Sequence, residues 1–407
     1  METKLGLREN WKQFTLLVII NGFVGGMIGL ERTILPQLAQ QEFLMVAKSA
    51  ILSFIIVFGF TKAITNYFAG TLANSIGRKN LLVYGWIIAL PVPFLLMFAG
   101  SWNWIIMANV LLGINQGLTW SSTVVMKIDL VGEKDRGFAM GLNEFAGYLA
   151  VALVALLSGY IASKYGLRPY PFLIGIVLSV LGLLASIFLV KDTRKFVAAE
   201  SKTSTLKPLK NIFLDTTLRH PNLSSVTQAG LINNLNDGMV WGLLPILLAT
   251  KGYNLSQIGT IVFIYPAVWG IAQLFTGKLA DLICKKKLLF WGMLFQGLAI
   301  VLLVYASTQI HYILISIILG LGTAVVYPAF LAAIADDTPP GQRAESIGIF
   351  RLWRDSGYAF GAILSGILAD SLGVNYAIGS IGFLTILSAI VIQVRMHSSN
   401  LSLNPLK

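Results

Sequence analysis

Gly70-Thr71-Leu72-Ala73-Asn74-Ser75-Ile76-Gly77-Arg78-Lys79 is followed 207 residues later by Gly277-Lys278-Leu279-Ala280-Asp281-Leu282-Ile283-Cys284-Lys285-Lys286-Lys287. Both stretches open on glycine, carry Leu-Ala two residues later and close on a basic cluster. Working outward at the same offset, Gly85 falls on Gly292, Gly113 on Gly320, Arg136 on Arg343, Gly141 on Gly348, Ser158-Gly159 on Ser365-Gly366 and Gly166 on Gly373. The chain is two copies of one pattern. Each copy holds six apolar stretches, starting near residues 13, 47, 80, 103, 137 and 169 and again near 224, 256, 288, 312, 344 and 375.

About 20 residues at ~1.5 Å rise cross a ~30 Å hydrocarbon core. A helix satisfies its own backbone groups there, and these runs lack the polar–apolar alternation of a barrel strand. The sequence therefore predicts an all-α polytopic membrane protein, with twelve transmembrane helices in two pseudo-symmetric six-helix bundles. Residues 1–190 form the first bundle, 191–222 a polar linker and 223–407 the second. A short amphipathic helix is expected in the linker at Leu206–Leu218. Pro36, Pro91, Pro93, Pro245, Pro266 and Pro328 fall inside or at the ends of spans, where some are expected to kink helices.

Composition agrees. Hydrophobic residues make up 56% and charged residues 12% of the 407; a soluble domain carries about twice that charge. Mean hydropathy is +0.75. The net charge of +12 is a matter of placement: with both termini cytoplasmic, 22 of the 30 Lys and Arg fall on the inner side. Only Lys48, Lys164, Arg168 and Lys251 lie outside, which is the positive-inside pattern. Scattered over short loops, these residues do not make a nucleic-acid surface. The single Cys284 and the dispersed His220, His311 and His397 predict neither metal nor cofactor. No cleavable signal is evident, because the first apolar run, Phe14 to Pro36, is longer than a signal-peptide core.

The repeated loop resembles the signature Gly-x-Leu-Ala-Asp-x-x-Gly-Arg-Lys/Arg of the major facilitator superfamily. The resemblance covers the whole chain once span count, duplication and central linker are included. It implies a carrier that moves a solute by rocker-type alternating access around a midplane site. It also makes Gly70, Asn74, Gly77, Arg78, Lys79, Gly277 and Asp281 the loop motif; in the family the loop acid braces neighbouring helices. That acid is Asn74 in the first copy and Asp281 in the second. Otherwise Arg78 and Lys79 are topology anchors in the headgroup region. The Gly-Pro stretch of many drug/proton antiporters is missing from the fifth span, which has no proline from Gly141 to Leu153.

Eight ionisable residues stand inside the expected spans: Glu31, Arg32, Lys62, Glu144, Asp237, Arg351, Arg354 and Asp355. Asp, Lys or Arg at mid-span costs ~2.5–3.5 kcal/mol on insertion scales, so each faces protein or water. Arg351 and Asp355 are spaced to share a helix face, with Arg354 beside them. The resemblance sets the second span beside the eleventh, predicting a Lys62–Asp355 contact that forms or breaks as the halves rock. Glu144 falls on Arg351 at the repeat offset. Asp237, Glu144 and Glu31 are the proton-coupling candidates; Arg32, Lys62, Arg351, Arg354 and Asp355 form a substrate or inter-bundle charge network. Glu31 and Arg32 lie near an outer end, where snorkelling makes them harmless. By the resemblance, Asn21, Asn115, Gln116, Trp120, Asn234 and Tyr327 are polar or aromatic cavity residues.

The functional expectation is a proton-coupled secondary transporter of a small organic solute in the inner membrane, acting as a monomer. Three cations favour an anion; if Asp355 and Glu144 neutralise them, a neutral or amphipathic solute fits equally. Multidrug efflux by proton antiport is the alternative, and a non-transporting receptor or scaffold the alternative from another class. An enzyme is not expected, because no nucleophile–base pair or phosphate loop is present.

Overall fold

The computed structural model describes residues 6–131, 136–197, 209–338 and 340–397, without the side chains of 70–75, 128, 136–139, 197, 281–282, 335, 340–341 and 343–344. The regular structure among them is helical. In the first half, α1 (Trp11–Arg32) is continued by α2 (Leu35–Gln41), and α3 (Lys48–Ile51) leads into α4 (Ser53–Ile76). Then come α5 (Arg78–Ala89), α6 (Pro91–Met97), α7 (Trp102–Val131), α8 (Arg136–Tyr165) and α9 (Leu173–Phe188). Pro36 and Pro91 stand in the first turns of α2 and α6, where the missing N–H is harmless. They start helical segments rather than kink them. Pro245, Pro266 and Pro328 do sit inside helices.

The linker contains α10 (Arg194–Val197) and α11 (Ile212–Leu214), the latter extended by one π turn over Asp215–Arg219. The expected amphipathic helix thus appears as that short segment; its first residues, 206–208, lie outside the described residues. The second half is α12 (Pro221–Thr250), α13 (Leu255–Leu282), α14 (Lys285–Leu303), α15 (Gln309–Asp337), α16 (Pro340–Leu372) and α17 (Val374–Arg395). Eight segments are long and apolar enough to cross a membrane. The apolar part of α4 is shorter, Ser53–Ala69. The remaining long helices, α7, α12 and α16, are 30, 30 and 33 residues and carry polar and charged side chains. Those four make up the twelve.

Packing repeats with the sequence. In the first half α1 packs on α7, α8 and α9, α7 on α4 and α5, and α5 on α9. In the second half α12 packs on α15, α16 and α17, α15 on α13 and α14, and α14 on α17. Every pair maps onto its counterpart. The halves meet through α4 against α16 and through α8 against α13, again a matched pair. Glycine allows the closest approaches. A Cβ on Gly25 or Gly29 of α1 would lie 2.0 Å from the Gly147 carbonyl oxygen or 2.2 Å from that of Val151 on α8. On Gly59 of α4 it would lie 2.7 Å from the Ala359 nitrogen of α16. The repeat reaches backbone conformation: Gly166 and Gly373, matched in sequence, adopt φ +91° and +93°.

The start of α1 and the end of α17 lie at one face, called here the terminal face, and the opposite end of the bundle is the far face. At the far face the Asp370 carboxylate of α16 accepts from the Lys48 N–H, the Ser49 N–H (2.9 Å) and the Ser49 hydroxyl of α3. Gly366 packs on Ser49, and its repeat partner Gly159 packs on Gly259. Two equivalent glycine seams close this end.

Candidate functional site

At mid-depth the two halves face each other across polar side chains. On α4, Lys62 and Asn66 are one turn apart and share a face; on α16, Arg351, Arg354, Asp355 and Tyr358 do the same. Trp120 and Ser121 come from α7, Tyr148 from α8 and Tyr327 from α15. Lys62, Asn66, Trp120, Tyr148, Tyr327, Arg351, Arg354 and Asp355 enclose a cavity of about 10 Å³, the space of roughly one water.

Asp355 is fully buried and both its oxygens are used. Oδ1 pairs with Arg354 Nη1 at 3.2 Å and accepts from Asn234 Nδ2 at 3.3 Å; Oδ2 accepts from Asn66 Nδ2 at 2.5 Å. Asn66 Oδ1 accepts from Ser121 Oγ at 2.6 Å, and Ser121 Oγ accepts from Arg351 Nη1 at 3.1 Å. A continuous chain of bonds therefore runs from α16 through α4 and α7 back to α16. Arg354 also stacks over Tyr327 at 4.5 Å and reaches the Tyr148 hydroxyl at 3.5 Å.

Asp355 neutralises one of the two nearby guanidiniums, that of Arg354, and the other, Arg351, reaches across to Ser121. One sequence expectation changes here. Lys62 does not pair with Asp355; its ammonium lies over the rings of Tyr358 (5.1 Å), Trp120 (5.5 Å) and Phe58 (5.7 Å). Asn66, which the sequence reading passed over, takes that place. Its one-turn spacing from Lys62 was the available signal.

At the repeat offset, Lys62 corresponds to Trp269 and Asp355 to Tyr148. Those two rings stack across the other seam, α8 against α13, with centroids 3.4 Å apart. At these positions one cross-half seam carries charged side chains and the other stacked aromatic rings.

The expected proton-coupling residues are all buried, each with an orphan oxygen. Glu144 Oε1 accepts from Asn143 Nδ2 (2.8 Å) and Trp120 Nε1 (3.2 Å), while Oε2 has no partner. Asp237 Oδ1 accepts from the Tyr265 hydroxyl, and Oδ2 has none. Neither Glu31 oxygen is hydrogen-bonded. Glu31 and Arg32 do not snorkel: they are 0% and 1% exposed, since the chain continues past them into α2 and keeps them covered. Arg32 is held between Trp241 of α12 (4.2 Å) and Phe58 of α4 (5.0 Å), a cation–π contact that joins the halves.

Asn21, Asn115 and Gln116 turn away from the cavity. Their amides donate to the carbonyls of Asn143 (2.7 Å), Gly85 (2.9 Å) and Val24 (2.8 Å), tying first-half helices together. Trp120 and Tyr327 do line the cavity, and Asn234 reaches it through Asp355. Lys127, assigned to the inner side from sequence, is 0% exposed inside α7 and donates to the Leu17 carbonyl at 3.2 Å.

At the terminal face, the side chains of Gly70, Asn74 and Asp281 lie outside those described. Gly77 starts α5 with φ +95°, and Arg78 pairs with Asp129 of α7 at 3.5 Å. Asp129 also accepts from Thr193 at 2.6 Å. In the second half Lys285 pairs with Asp336 of α15 at 2.7 Å. Arg78 falls on Lys285 and Asp129 on Asp336 at the repeat offset, so the fold duplicates a bridge that the sequence reading missed. Arg78 is more than a headgroup anchor, being 7% exposed. Lys79 donates its N–H to Asp192 (3.2 Å) and its ammonium to the Ile187 carbonyl (2.8 Å). Partial burial pushes the Asp192 carboxyl up, but the amides of Arg194 and Lys79 and the Arg194 guanidinium outweigh this and hold it below its ordinary value.

The model of the Major Facilitator Superfamily matches residues 14–224 and 226–404. The Multidrug resistance protein MdtG of Escherichia coli O1:K1 / APEC is 24% identical over 375 residues, 89% of this chain and 90% of that protein. Its counterpart in strain K12 / DH10B shows the same figures. Among solved structures, the human organic anion transporter MFSD10 (TETRAN) superposes with a TM-score of 0.74 at 14% identity, covering 94% of this chain and 99% of that one. A peptide transporter POT in complex with alafosfalin gives 0.74 at 17% identity, with 94% and 93% covered.

Proposed function

This chain belongs to the Major Facilitator Superfamily and is a membrane transporter, and from that premise we propose that it is a proton-coupled secondary carrier of a small organic solute. It sits in the cytoplasmic membrane with both termini inside. The observation that carries this reading is the buried chain of bonds joining the halves through Asn66, Ser121, Arg351, Arg354 and Asp355, flanked by the orphan carboxylate oxygens of Glu144, Asp237 and Glu31. Two rigid halves linked by polar contacts can exchange those contacts for others as they rock, and the cavity then opens to the alternate face. A carboxylate oxygen without a protein partner is a place where a proton can be carried, and exposing it to water as the cavity opens links proton movement to the conformational cycle. Asp237 and Glu144 are the coupling groups in this account; Arg32, Lys62 and Asp355 are contacts that change between states.

Efflux of several drugs by proton antiport is the second reading, favoured by the name carried by the Escherichia coli relatives. Against it stand the charge of the cavity and the absence of proline in the fifth span. The test is flux in proteoliposomes holding an internal pH dye, with a solute first selected by thermal-shift screening of the full-length protein. Asp237→Asn and Glu144→Gln should exchange solute across the membrane but no longer accumulate it against a pH gradient. Undiminished proton-driven accumulation in both variants rules out the coupling assignment.

A further inference from the structure

We infer that the central cavity, closed in this structure to about 10 Å³, becomes on opening an oxyanion site for a small organic anion with a flat, apolar body, held between Lys62 and Arg351. This deepens the carrier reading and rests on it. Of the three cations in the cavity wall, only Arg354 has a carboxylate among the described residues, and that carboxylate is spent: Arg354, Asn234 and Asn66 occupy both oxygens of Asp355. Lys62 is 5% exposed and, among the described residues, has no carboxylate at ion-pair distance and no hydrogen-bond acceptor; only aromatic rings face its ammonium. Arg351, 9% exposed, has one neutral acceptor, Ser121 Oγ, for its five N–H groups. Glu144 stands behind the Trp120 ring, bonded to the indole N–H and to Asn143, and forms no part of the cavity wall. Among the lining residues alone, Lys62, Arg351 and Arg354 stand against the single carboxylate of Asp355, so two cations face the cavity without a carboxylate in contact.

A bilayer penalises such charge, so a buried site that retains it is built for a counter-charge arriving from solution. A guanidinium fork with a free edge beside an ammonium matches a carboxylate, phosphonate or sulfonate. The Trp120, Tyr148 and Tyr327 rings bound the same cavity, offering stacking surface to the rest of the solute.

Cysteine chemistry tests this without knowing the natural solute. In a Cys284→Ser background the full-length protein carries Ser121→Cys as the probe, or Tyr327→Cys should the first fold poorly. It is treated in membranes with sulfonatoethyl or trimethylammonioethyl methanethiosulfonate, reagents similar in size and opposite in charge. Rates are normalised to the exposed loop position Ser101→Cys. The expected result is an anion preference at the cavity at least tenfold above the reference, reduced severalfold by Lys62→Met and by Arg351→Met. Phthalate should slow the modification and benzamidine should not. A cation preference, or a ratio unmoved by both methionine variants, overturns the anion assignment and leaves the carrier reading standing. A probe unreachable from either side overturns the carrier reading itself.

Discussion

Removing the Asp370 carboxylate should open the far face of the protein. That side chain reaches from α16 to the first turn of α3, in the other half, and takes the Lys48 N–H, the Ser49 N–H and the Ser49 hydroxyl. Capping of this kind is worth roughly 0.5–2 kcal/mol. The carboxylate is exposed, which places the value toward the lower part of that range. Those contacts exist only while the halves touch at this end, so Asp370→Ala should raise the far-open population about 2- to 5-fold. Gly366→Val attacks the same seam sterically: a Cβ there would lie 2.7 Å from the Ser49 Cα. Overpacking costs ~1–3 kcal/mol, so the shift should be at least as large. Spin labels at Ser101→Cys and Lys251→Cys, exposed loops of the two halves, read the separation by double electron–electron resonance in a Cys284→Ser background. A longer-distance population should grow in both variants. Unchanged distributions in both would refute the seam as a closure contact.

Three further outcomes follow from particular contacts. Asp129→Asn should destabilise the full-length protein by about 1–3 kcal/mol, because its bridge to Arg78 is nearly covered, with side chains 11% and 8% exposed. Asp336→Asn, whose carboxylate is 46% exposed, should cost less than about 1 kcal/mol; thermal unfolding in detergent ranks the two. Gly25→Val, at the tightest approach of α1 to α8, should lower the yield of monodisperse protein on size-exclusion chromatography, whereas Gly100→Val, with open space around it, should not. The depressed Asp192 carboxyl favours the folded state at neutral pH, and its contribution fades as the pH falls through its lowered value. Asp192→Asn should therefore narrow its stability gap to the parent under acid conditions, as seen by melting across pH.

The duplication was legible because it lies in backbone-determining residues. Gly166 and Gly373 both adopt positive φ and mark the same turn in the two copies. Applied to charges, the same offset already relates Arg78 to Lys285 and Asp129 to Asp336. A span of about 20 residues starting near residue 103 stops short of Lys127 and Asp129, whereas α7 runs to Val131 and carries both. Helix length is set by packing against neighbours, which hydropathy does not report.

Pairing inside the bilayer was less legible. Helical spacing places both Arg351 and Arg354 near Asp355 without choosing between them; the choice falls on Arg354 because Ser121 of a neighbouring helix offers Arg351 an acceptor. Position near an apparent span end suggested that Glu31 and Arg32 reach water. Their burial depends on α2 and on Trp241 of the other half, contacts that no local window contains.

The claim that two halves alternately expose a central charged cavity is tested most directly by bridging the far seam. A Cβ at position 366 would lie 3.2 Å from the Ser49 Cβ, close to disulfide range, so Ser49→Cys with Gly366→Cys should cross-link on oxidation. With a third cysteine at Ser121→Cys as probe, a membrane-impermeant thiol reagent should reach it only from the terminal face while the bridge holds. After reduction it should be reached from both faces. Equal access from both faces with the bridge intact, or access from one face alone after reduction, would contradict the account.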